Sequence, residues 1–352
     1  MDPKFIIVDA GGGLCNKLFS IISSLYIAKN TGRKIIIIWH NQNGCNCPFQ
    51  NIFDNDFVIF NTYSSDCTIT EDIISDECIL DKLKYCSDNN IQFLKLFNLD
   101  ATNYSTDYNN KLKSLLNNFN IKSYHHYDNS DSGVKMRKGK CGDADWLEYN
   151  VDLNNFINEE EIIIKFSDTL LPPYMTLNDA KEIIQTLKLK KNIQAKIDCL
   201  IEEMKLEKSV LGIHERRTDF LASGNDNDRK NIILHKKIIN IIKNEPNQKI
   251  FLATDDIHVR ELFASSYPNN IIIYKQLAEP IFKDCTSYNS GCDLLCSKLK
   301  MERNGEFVIN GVIDLYLLGA TTFKEEYNLT CNYYCHKFPS TYALMAKILS
   351  LI

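Results

Sequence analysis

The segment Val210-Leu-Gly-Ile-His-Glu-Arg-Arg-Thr-Asp-Phe220 begins as a short apolar strand and ends in a cluster of charged side chains. Arginine is scarce, with 7 among 40 basic residues, yet two of the seven stand side by side here as Arg216 and Arg217. A strand that runs into a polar loop presents such side chains at its carboxyl end, where open α/β sheets bind ligands. Because a planar guanidinium suits bidentate binding of phosphate, His214, Arg216 and Arg217 form a candidate diphosphate site. The alternative is a surface cluster of paired charges.

The second half of the chain around this segment alternates between apolar strand patterns and helical patterns. The predicted strands are 209–214, 249–254, 270–275 and 321–324, and the predicted helices are 230–243, 257–265, 307–318 and 340–349. Such alternation is typical of a doubly wound α/β domain with a parallel sheet.

The N-terminus predicts a second parallel sheet, with a strand at 4–9, a glycine turn, a helix at 14–30 and a strand at 35–39, followed by a loop over 40–60. The turn lacks a dinucleotide fingerprint, because Asn16 occupies the third glycine position and the second strand ends in Trp39-His40 instead of an acid. Two interpretations remain: a tight strand–helix turn, or a turn whose amides and Asn16 face a sugar nucleotide or acceptor.

Length and composition limit the remaining possibilities. A chain of 352 residues favours two domains, and a net charge of -5 argues against a dedicated nucleic-acid or polybasic membrane binder. No apolar run is long enough for a transmembrane segment or a signal-peptide core, so we expect a cytoplasmic protein. Thirteen cysteines without a secretory signal indicate reduced thiols. Disulfides or a zinc site at Cys292/Cys296 and Cys331/Cys335/His336 remain alternatives.

Two further clusters of polar residues fall where predicted strands meet helices. Asp255 and Asp256 follow a strand and either cap the next helix or line a ligand site. Asp314 lies within an apolar helix, where a carboxylate needs a partner, and it could accept the N1–H and N2–H groups of guanine. Ser340 and Thr341 open the last helix, which suits either capping or anion binding.

Taken in order, these motifs resemble those of the α1,6-/α1,2-/protein O-fucosyltransferase superfamily. The matching residues are His-x-Arg-Arg-Thr-Asp at 214–219, Phe-Leu-Ala-Thr-Asp-Asp at 251–256, Asp314 with Leu317-Leu318, Ser340-Thr341, and the opening Gly12-Gly13-Leu14-Cys15-Asn16-Lys17. The resemblance covers most of 1–50 and 205–350 and does not extend to 55–170.

The resemblance implies an α/β fold of the GT-B type, with two facing Rossmann-like domains containing parallel sheets. Residues 1–190 would form the acceptor-side domain, with a variable insert at about 55–170, and 191–352 the nucleotide-sugar domain. The implied activity is inverting, metal-independent transfer of fucose or a related sugar from a GDP-sugar, with GDP-fucose as donor and no cofactor, to a glycan or protein hydroxyl. The alternatives are an inactive member that binds nucleotide or glycan, and an unrelated nucleotide-dependent enzyme.

The resemblance also implies residue roles. Arg216 would hold the diphosphate and assist departure of GDP, with Arg217 beside it. His214 and Asp314 would lie at the guanosine end, Asp255 and Asp256 would shape the pocket, and Ser340 and Thr341 would contact phosphates. Gly12, Gly13 and Asn16 would contribute from the first turn.

The catalytic base does not carry over from the family. Phe220 stands where the α1,6 branch has Lys, and the family's Glu position falls near Gly224. Asp219 and Asp226 are the local candidates, with Asp228 beyond them. Acceptor identity and linkage are not predicted.

Overall fold

A computed structural model describes the residues from which the architecture follows: 5–10, 13–41, 45–63, 122–124, 162–165, 175–215, 226–254, 257–275, 281–282, 301–302, 305–323 and 341–352. The chain divides into two compact units, and the main division falls between Leu187 and Lys188. Most of 64–174 lies outside the described residues.

Unit 1 contains a five-stranded sheet in which all neighbours are parallel. Its strands are β1 (Phe5–Ala10), β2 (Lys34–Asn41), β3 (Val58–Tyr63), β4 (Lys122–Tyr124) and β5 (Ile162–Lys165). They are arranged in the order β3-β2-β1-β5-β4, which places the first strand of the chain at the centre. The parallel sheet predicted at the N-terminus is therefore confirmed, and β3 corrects the prediction that the loop reaches residue 60.

Helix α1 (Leu14–Thr31) connects β1 to β2 as the helical spacing of apolar residues predicts. Its inner face, including Leu18, Ile21 and Ile22, is buried. The helix ends at Gly32, which has φ of 65° and donates its backbone N–H to Ala28 O. Glycine tolerates this left-handed conformation without a Cβ penalty, so the glycine stop is the expected C-terminal signal.

Helix α2 (Leu177–Ile184) completes unit 1, and α3 (Lys191–Met204) begins unit 2. The start of α2 is a complete capping box. Thr176 Oγ1 accepts from the Asp179 N–H at 3.1 Å, and the Asp179 carboxylate accepts from the Thr176 N–H at 2.7 Å. Thr176 and Asp179 therefore have the three-residue spacing of a capping box in the sequence and its reciprocal hydrogen bonds in the structure.

Unit 2 contains a four-stranded parallel sheet in the order β11-β6-β7-β8. Its strands are β6 (Leu211–Glu215), β7 (Ile250–Thr254), β8 (Ile271–Ile272) and β11 (Thr322–Phe323), and a separate antiparallel pair joins β9 (Ile281–Phe282) to β10 (Met301–Glu302). The remaining helices are α4 (Asp226–Asn244), α5 (Ile257–Ser266), α6 (Gly305–Gly319) and α7 (Thr341–Ser350). The predicted α/β alternation is confirmed.

Strand β6 separates two layers of unit 2. Leu211 and Ile213 pack in a core cluster with residues of α4 and α5, including Ile238 and Phe263. Gly212 alternates to the opposite face, where a Cβ would collide with Thr321 and Leu318 at the end of α6. The close approach of α6 to β6 therefore depends on this glycine.

None of the helices within the described residues is both long and apolar enough to cross a membrane.

Candidate functional site

The carboxyl edge of the unit 2 sheet is formed by β6 and β7, which run parallel and end together. Glu215 and Thr254, the last residues of these strands, are register partners, and both are buried. Arg216 follows β6 in the chain, and Asp255 follows β7. The polar segments singled out in the sequence therefore leave the sheet from adjacent strand ends, at the edge where open α/β sheets bind ligands.

His214 lies at this edge on the side of β6 that faces α6 and α7. Its side chain is buried, and its ring stacks on that of Tyr342, with centroids 4.5 Å apart and an interplanar angle of 25°. Tyr342 is the second residue of α7. The stacking joins the end of the strand to the beginning of the last helix.

Asp314 lies within α6 and is only 5% exposed, among apolar neighbours such as Ile313 and Leu315. The Tyr342 hydroxyl lies 3.2 Å from Asp314 Oδ2 and 3.1 Å from the Gly311 carbonyl oxygen. A phenol has one proton, so at any moment it donates to one of these two acceptors. Tyr342 therefore links Asp314 on α6 to His214 on β6.

One turn before Asp314, a second polar residue on α6 is hydrogen-bonded to the segment that follows β8. Asn310 Oδ1 accepts a 2.9 Å hydrogen bond from the Tyr274 hydroxyl, and the Tyr274 carbonyl accepts from the buried Arg260 at 3.2 Å. Burial raises the pKa of Tyr274 to about 12, with the negative charge of Asp314 as the second cause. The Tyr274 phenol is therefore a proton donor throughout the physiological range.

Glu215 lies on the opposite face of β6 from His214. Its carboxylate is fully buried, and Oε1 lies 3.2 Å from Nε2 of His235 on α4. The His235 ring packs edge-on against Phe263 of α5, with centroids 4.8 Å apart. This contact holds α4 against the strand that ends beside Arg216, on the side away from the His214–Tyr342 stack.

In unit 1, the glycine turn leads directly into α1. Gly13 is the N-cap of the helix, in an extended conformation, and as a glycine it provides no side-chain cap. Asn16 lies in the first turn and is partly buried. The first turn contains no acidic residue, so no carboxylate of that turn offsets the partial positive charge of its backbone amides.

The structure brings two of the predicted donor residues together, since His214 and Asp314 both contact Tyr342. Thr341 opens α7 beside Tyr342, Gly13 and Asn16 lie at the start of α1, and Asp226 is the first residue of α4. The other predicted site residues lie outside the described residues: Gly12, Arg216, Arg217, Asp219, Asp255, Asp256 and Ser340. The cysteine pairs of the C-terminal half, Cys292/Cys296 and Cys331/Cys335 with His336, lie outside them too.

Sequence reasoning missed three residues of this site: Tyr342, Asn310 and Tyr274. Asn310 is four residues before Asp314, so helical spacing places both on one face of α6, and this signal could have found it. Tyr342 adjoins the singled-out Ser340-Thr341, but its role depends on where α7 meets α6. Within the described residues, no group of three His, Cys, Asp or Glu side chains could hold a metal ion, and the predicted metal independence stays a prediction.

Several fucosyltransferases are among the solved structures with a similar fold, all at low sequence identity to this chain. NodZ α1,6-fucosyltransferase co-crystallised with GDP has a TM-score of 0.51 and 16% identity, over 99% of this chain and 93% of that chain. The fucosyltransferase NodZ from Bradyrhizobium has a TM-score of 0.50 and 17% identity over the same shares. An Arabidopsis thaliana FUT1 mutant in complex with GDP has a TM-score of 0.50 and 12% identity, over 99% of this chain and 69% of that chain.

No protein-family model matches the sequence, and no curated protein matches it. The similarity to the solved structures therefore establishes the fold of the chain, which is the α/β fold of these fucosyltransferases.

Proposed function

We propose that the chain is an inverting glycosyltransferase that transfers fucose, or a related sugar, from a GDP-sugar to a hydroxyl of a glycan or protein. The observation that carries this proposal is the cluster of His214, Asp314 and Tyr342 at the carboxyl edge of the unit 2 sheet. It occurs in a fold shared with fucosyltransferases, two of which have structures with GDP bound.

The guanosine end of the donor is assigned to Asp314. A carboxylate accepts through about four lone-pair sites, so Tyr342 at Oδ2 leaves capacity for the N1–H and N2–H donors of guanine. Charge-assisted hydrogen bonds are stronger than neutral ones, and the low exposure of Asp314 strengthens them further. His214, held by its stack on Tyr342, would line the same part of the site.

The diphosphate is assigned to Arg216 and Arg217, which follow β6, and to Ser340 and Thr341 at the start of α7. Breaking a glycosyl–phosphate bond concentrates negative charge on the departing GDP. A guanidinium fixed beside that charge stabilises the transition state more than the ground state, and it can serve in place of a divalent ion. Asp255 and Asp256 would shape the pocket from the end of β7.

Acceptor activation requires a carboxylate that takes the proton of the attacking hydroxyl. Asp219 and Asp226 remain the candidates for this base. In this proposal residues 1–190 form the acceptor-side domain, with Gly12, Gly13 and Asn16 at its edge, and 191–352 form the nucleotide-sugar domain.

The proposal is tested by following GDP release from GDP-fucose with wild-type protein, Arg216→Ala and Arg216→Lys. Loss of a group that stabilises the leaving charge lowers kcat by about 10²–10³-fold, so we expect Arg216→Ala to fall by that factor. We expect Arg216→Lys to fall by less, because it keeps the charge without the bidentate fork. Lys243→Ala, at the exposed end of α4, is the control for lost positive charge.

Equal turnover by Arg216→Ala and wild type would refute the assignment of this arginine. GDP-fucose binding without any turnover would instead favour the alternative of a catalytically inactive binding module.

A further inference from the structure

The last residue of β2, Asn41, has a buried side-chain amide. Its side chain is 1% exposed, and neither Nδ2 nor Oδ1 has a hydrogen-bond partner among the residues that the structure describes. Buried side-chain amides are almost always paired, because an unpaired buried donor or acceptor loses its hydration without compensation. An amide in which both ends are left open therefore needs an explanation.

Two other buried polar side chains at this end of the sheet, those of Asn61 and Trp39, have hydrogen-bond partners. Asn61 in β3 accepts from the Phe49 N–H at 3.2 Å and donates to Gln50 Oε1 at 2.7 Å. Trp39 Nε1 donates to the Cys47 carbonyl at 2.7 Å. The described residues at this edge of the sheet thus provide partners for the indole and for the neighbouring asparagine, and none of them provides one for Asn41.

Asn41 lies beside the N-terminus of α1. Side chains two residues apart share a face of a strand, so Asn41 is on the side occupied by Trp39. That side is covered by the first turn of α1, because Lys17 Nζ lies 4.4 Å from the centre of the Trp39 ring and donates to the Cys45 carbonyl at 3.3 Å. The uncapped start of α1 at Gly13 and the open amide therefore occupy one corner at the carboxyl edge of the sheet.

The open atoms limit the chemistry of a ligand at this corner. Nδ2 needs an acceptor and Oδ1 needs a donor. A phosphate or carboxylate supplies only acceptors, and a cation supplies no acceptor. A hydroxyl group both donates and accepts, and two neighbouring hydroxyls can pair with both atoms of one amide.

We propose that Asn41 binds carbohydrate hydroxyl groups at the carboxyl edge of the N-terminal sheet. The choice of a carbohydrate, among compounds with hydroxyl groups, rests on the proposed function. The hydroxyls belong either to the sugar of the donor or to the acceptor saccharide, and the two sources are separated by the binding experiment below.

The first test is stability of the ligand-free protein, with Asn41→Leu compared with Asn61→Leu. Leucine has the shape of asparagine without its polar atoms. Removing an unpaired amide relieves its desolvation, so we expect Asn41→Leu to leave Tm unchanged or raise it by about 2–4 °C. Asn61→Leu breaks two hydrogen bonds and should lower Tm. A fall for Asn41→Leu as large as that of the control would overturn the proposal, because the amide would then be satisfied in the resting protein, for instance by a buried water.

The second test is binding, by calorimetry with GDP and GDP-fucose and by saturation-transfer NMR with fucose, galactose, glucose, mannose and N-acetylglucosamine. We expect Asn41→Leu to keep the wild-type affinity for GDP. If the hydroxyls belong to the sugar of the donor, the ratio of the affinity for GDP-fucose to the affinity for GDP is about tenfold lower in the variant than in the wild type. If they are those of the acceptor, it loses the monosaccharide signal.

The proposal is overturned if Asn41→Leu binds GDP-fucose and the monosaccharides as the wild type does. It is also overturned if the wild type neither binds GDP-fucose more tightly than GDP nor gives a monosaccharide signal. Failure of the proposed function looks different, since neither protein would then bind GDP. The stability comparison and the monosaccharide experiment do not depend on the nucleotide.

Discussion

A single phenol, that of Tyr342, connects two of the predicted donor-site residues, His214 and Asp314. Its ring stacks on His214, and its hydroxyl lies within hydrogen-bond distance of Asp314 and of the Gly311 carbonyl. Neither contact involves the proposed reaction centre. We therefore infer that Tyr342 is a positioning residue, which fixes the rotamers of the groups that meet the nucleotide.

Replacing Tyr342 separates its two contacts. Tyr342→Phe keeps the stack and removes the hydroxyl, so we expect GDP affinity to fall by about 5- to 10-fold, the value of one hydrogen bond. Tyr342→Ala removes the stack as well and should weaken GDP binding by about 10- to 100-fold. Both affinities are measured by titration calorimetry.

Tyr267→Phe is the matched control, because Tyr267 is a partly buried phenol next to Phe263 on the far side of the sheet. If Tyr342→Phe and Tyr342→Ala both bound GDP like this control, the positioning role would be wrong.

Tyr274 gives a prediction for alkaline pH. Its folded pKa of about 12 exceeds the ordinary value of 10, so the folded protein keeps the phenolic proton while the unfolded chain loses it. The resulting stability is fully present below pH 10 and is lost as the pH rises through about 12. We expect the free energy of unfolding of the wild type to fall relative to Tyr274→Phe over this window, as measured by urea denaturation. A difference in the free energy of unfolding that stays constant from pH 10 to pH 12 would contradict the raised pKa of Tyr274.

The local sequence identified His214 and Asp314 as candidate site residues, but it did not predict that Tyr342 contacts both of them. A histidine after an apolar strand and an acid within an apolar helix are visible in the sequence, because each breaks a pattern. Tyr342 breaks none, since an aromatic residue early in a helix is ordinary. Its role is set by the crossing of α7 over α6, which is a tertiary property.

Among the elements, α6 contains three glycines, and two of them, Gly311 and Gly319, differ in their environments. A Cβ on Gly319 would lie 2.5 Å from Leu349 Cβ of α7, whereas a Cβ on Gly311 would meet no atom within 4 Å among the described residues. Gly319 therefore permits close contact of the two helices that bring Asp314 and Tyr342 together. Gly311 has no such packing role.

The pair Gly319→Ala and Gly311→Ala tests this packing within one helix. We expect Gly319→Ala to lower the free energy of unfolding by about 1–3 kcal/mol through overpacking. Gly311→Ala should raise it by about 0.5–1 kcal/mol, because alanine is the better helix former. Urea denaturation measures both, and a loss at Gly311 as large as that at Gly319 would show that α6 does not pack on α7 as described.

Element boundaries followed the sequence where a cap or a glycine marks them, as at Thr176 and Gly32. Strand β8 is shorter than the predicted 270–275 because Tyr274 leaves the sheet. Its hydroxyl donates to Asn310, and its carbonyl oxygen accepts from Arg260. Strand β3 was missed because the polar segment before it, 54–56, resembles a loop, and only pairing with β2 over Ile36–Asn41 defines it.

At the scale of the whole molecule, the chain builds two parallel sheets, one in each compact unit, from strands of similar composition. Apolar periodicity predicts both sheets. It does not tell which one holds a nucleotide, because that depends on a few side chains at the strand ends. The two units are distinguished by the order of those side chains along the chain, which resembles the order of motifs in the fucosyltransferase superfamily.

We propose that unit 2 holds a guanine nucleotide through Asp314. Titration of GDP and UDP into wild-type protein and Asp314→Asn tests this proposal most directly. Asp198→Asn, on the exposed surface of α3, is the control. We expect the wild type and the control to bind GDP at least tenfold more tightly than UDP. Asp314→Asn should lose about 10- to 100-fold of the GDP affinity and none of the UDP affinity, because an amide presents N–H groups where guanine needs acceptors. Absence of GDP binding by the wild type, or equal affinity for GDP and UDP, would contradict the claim.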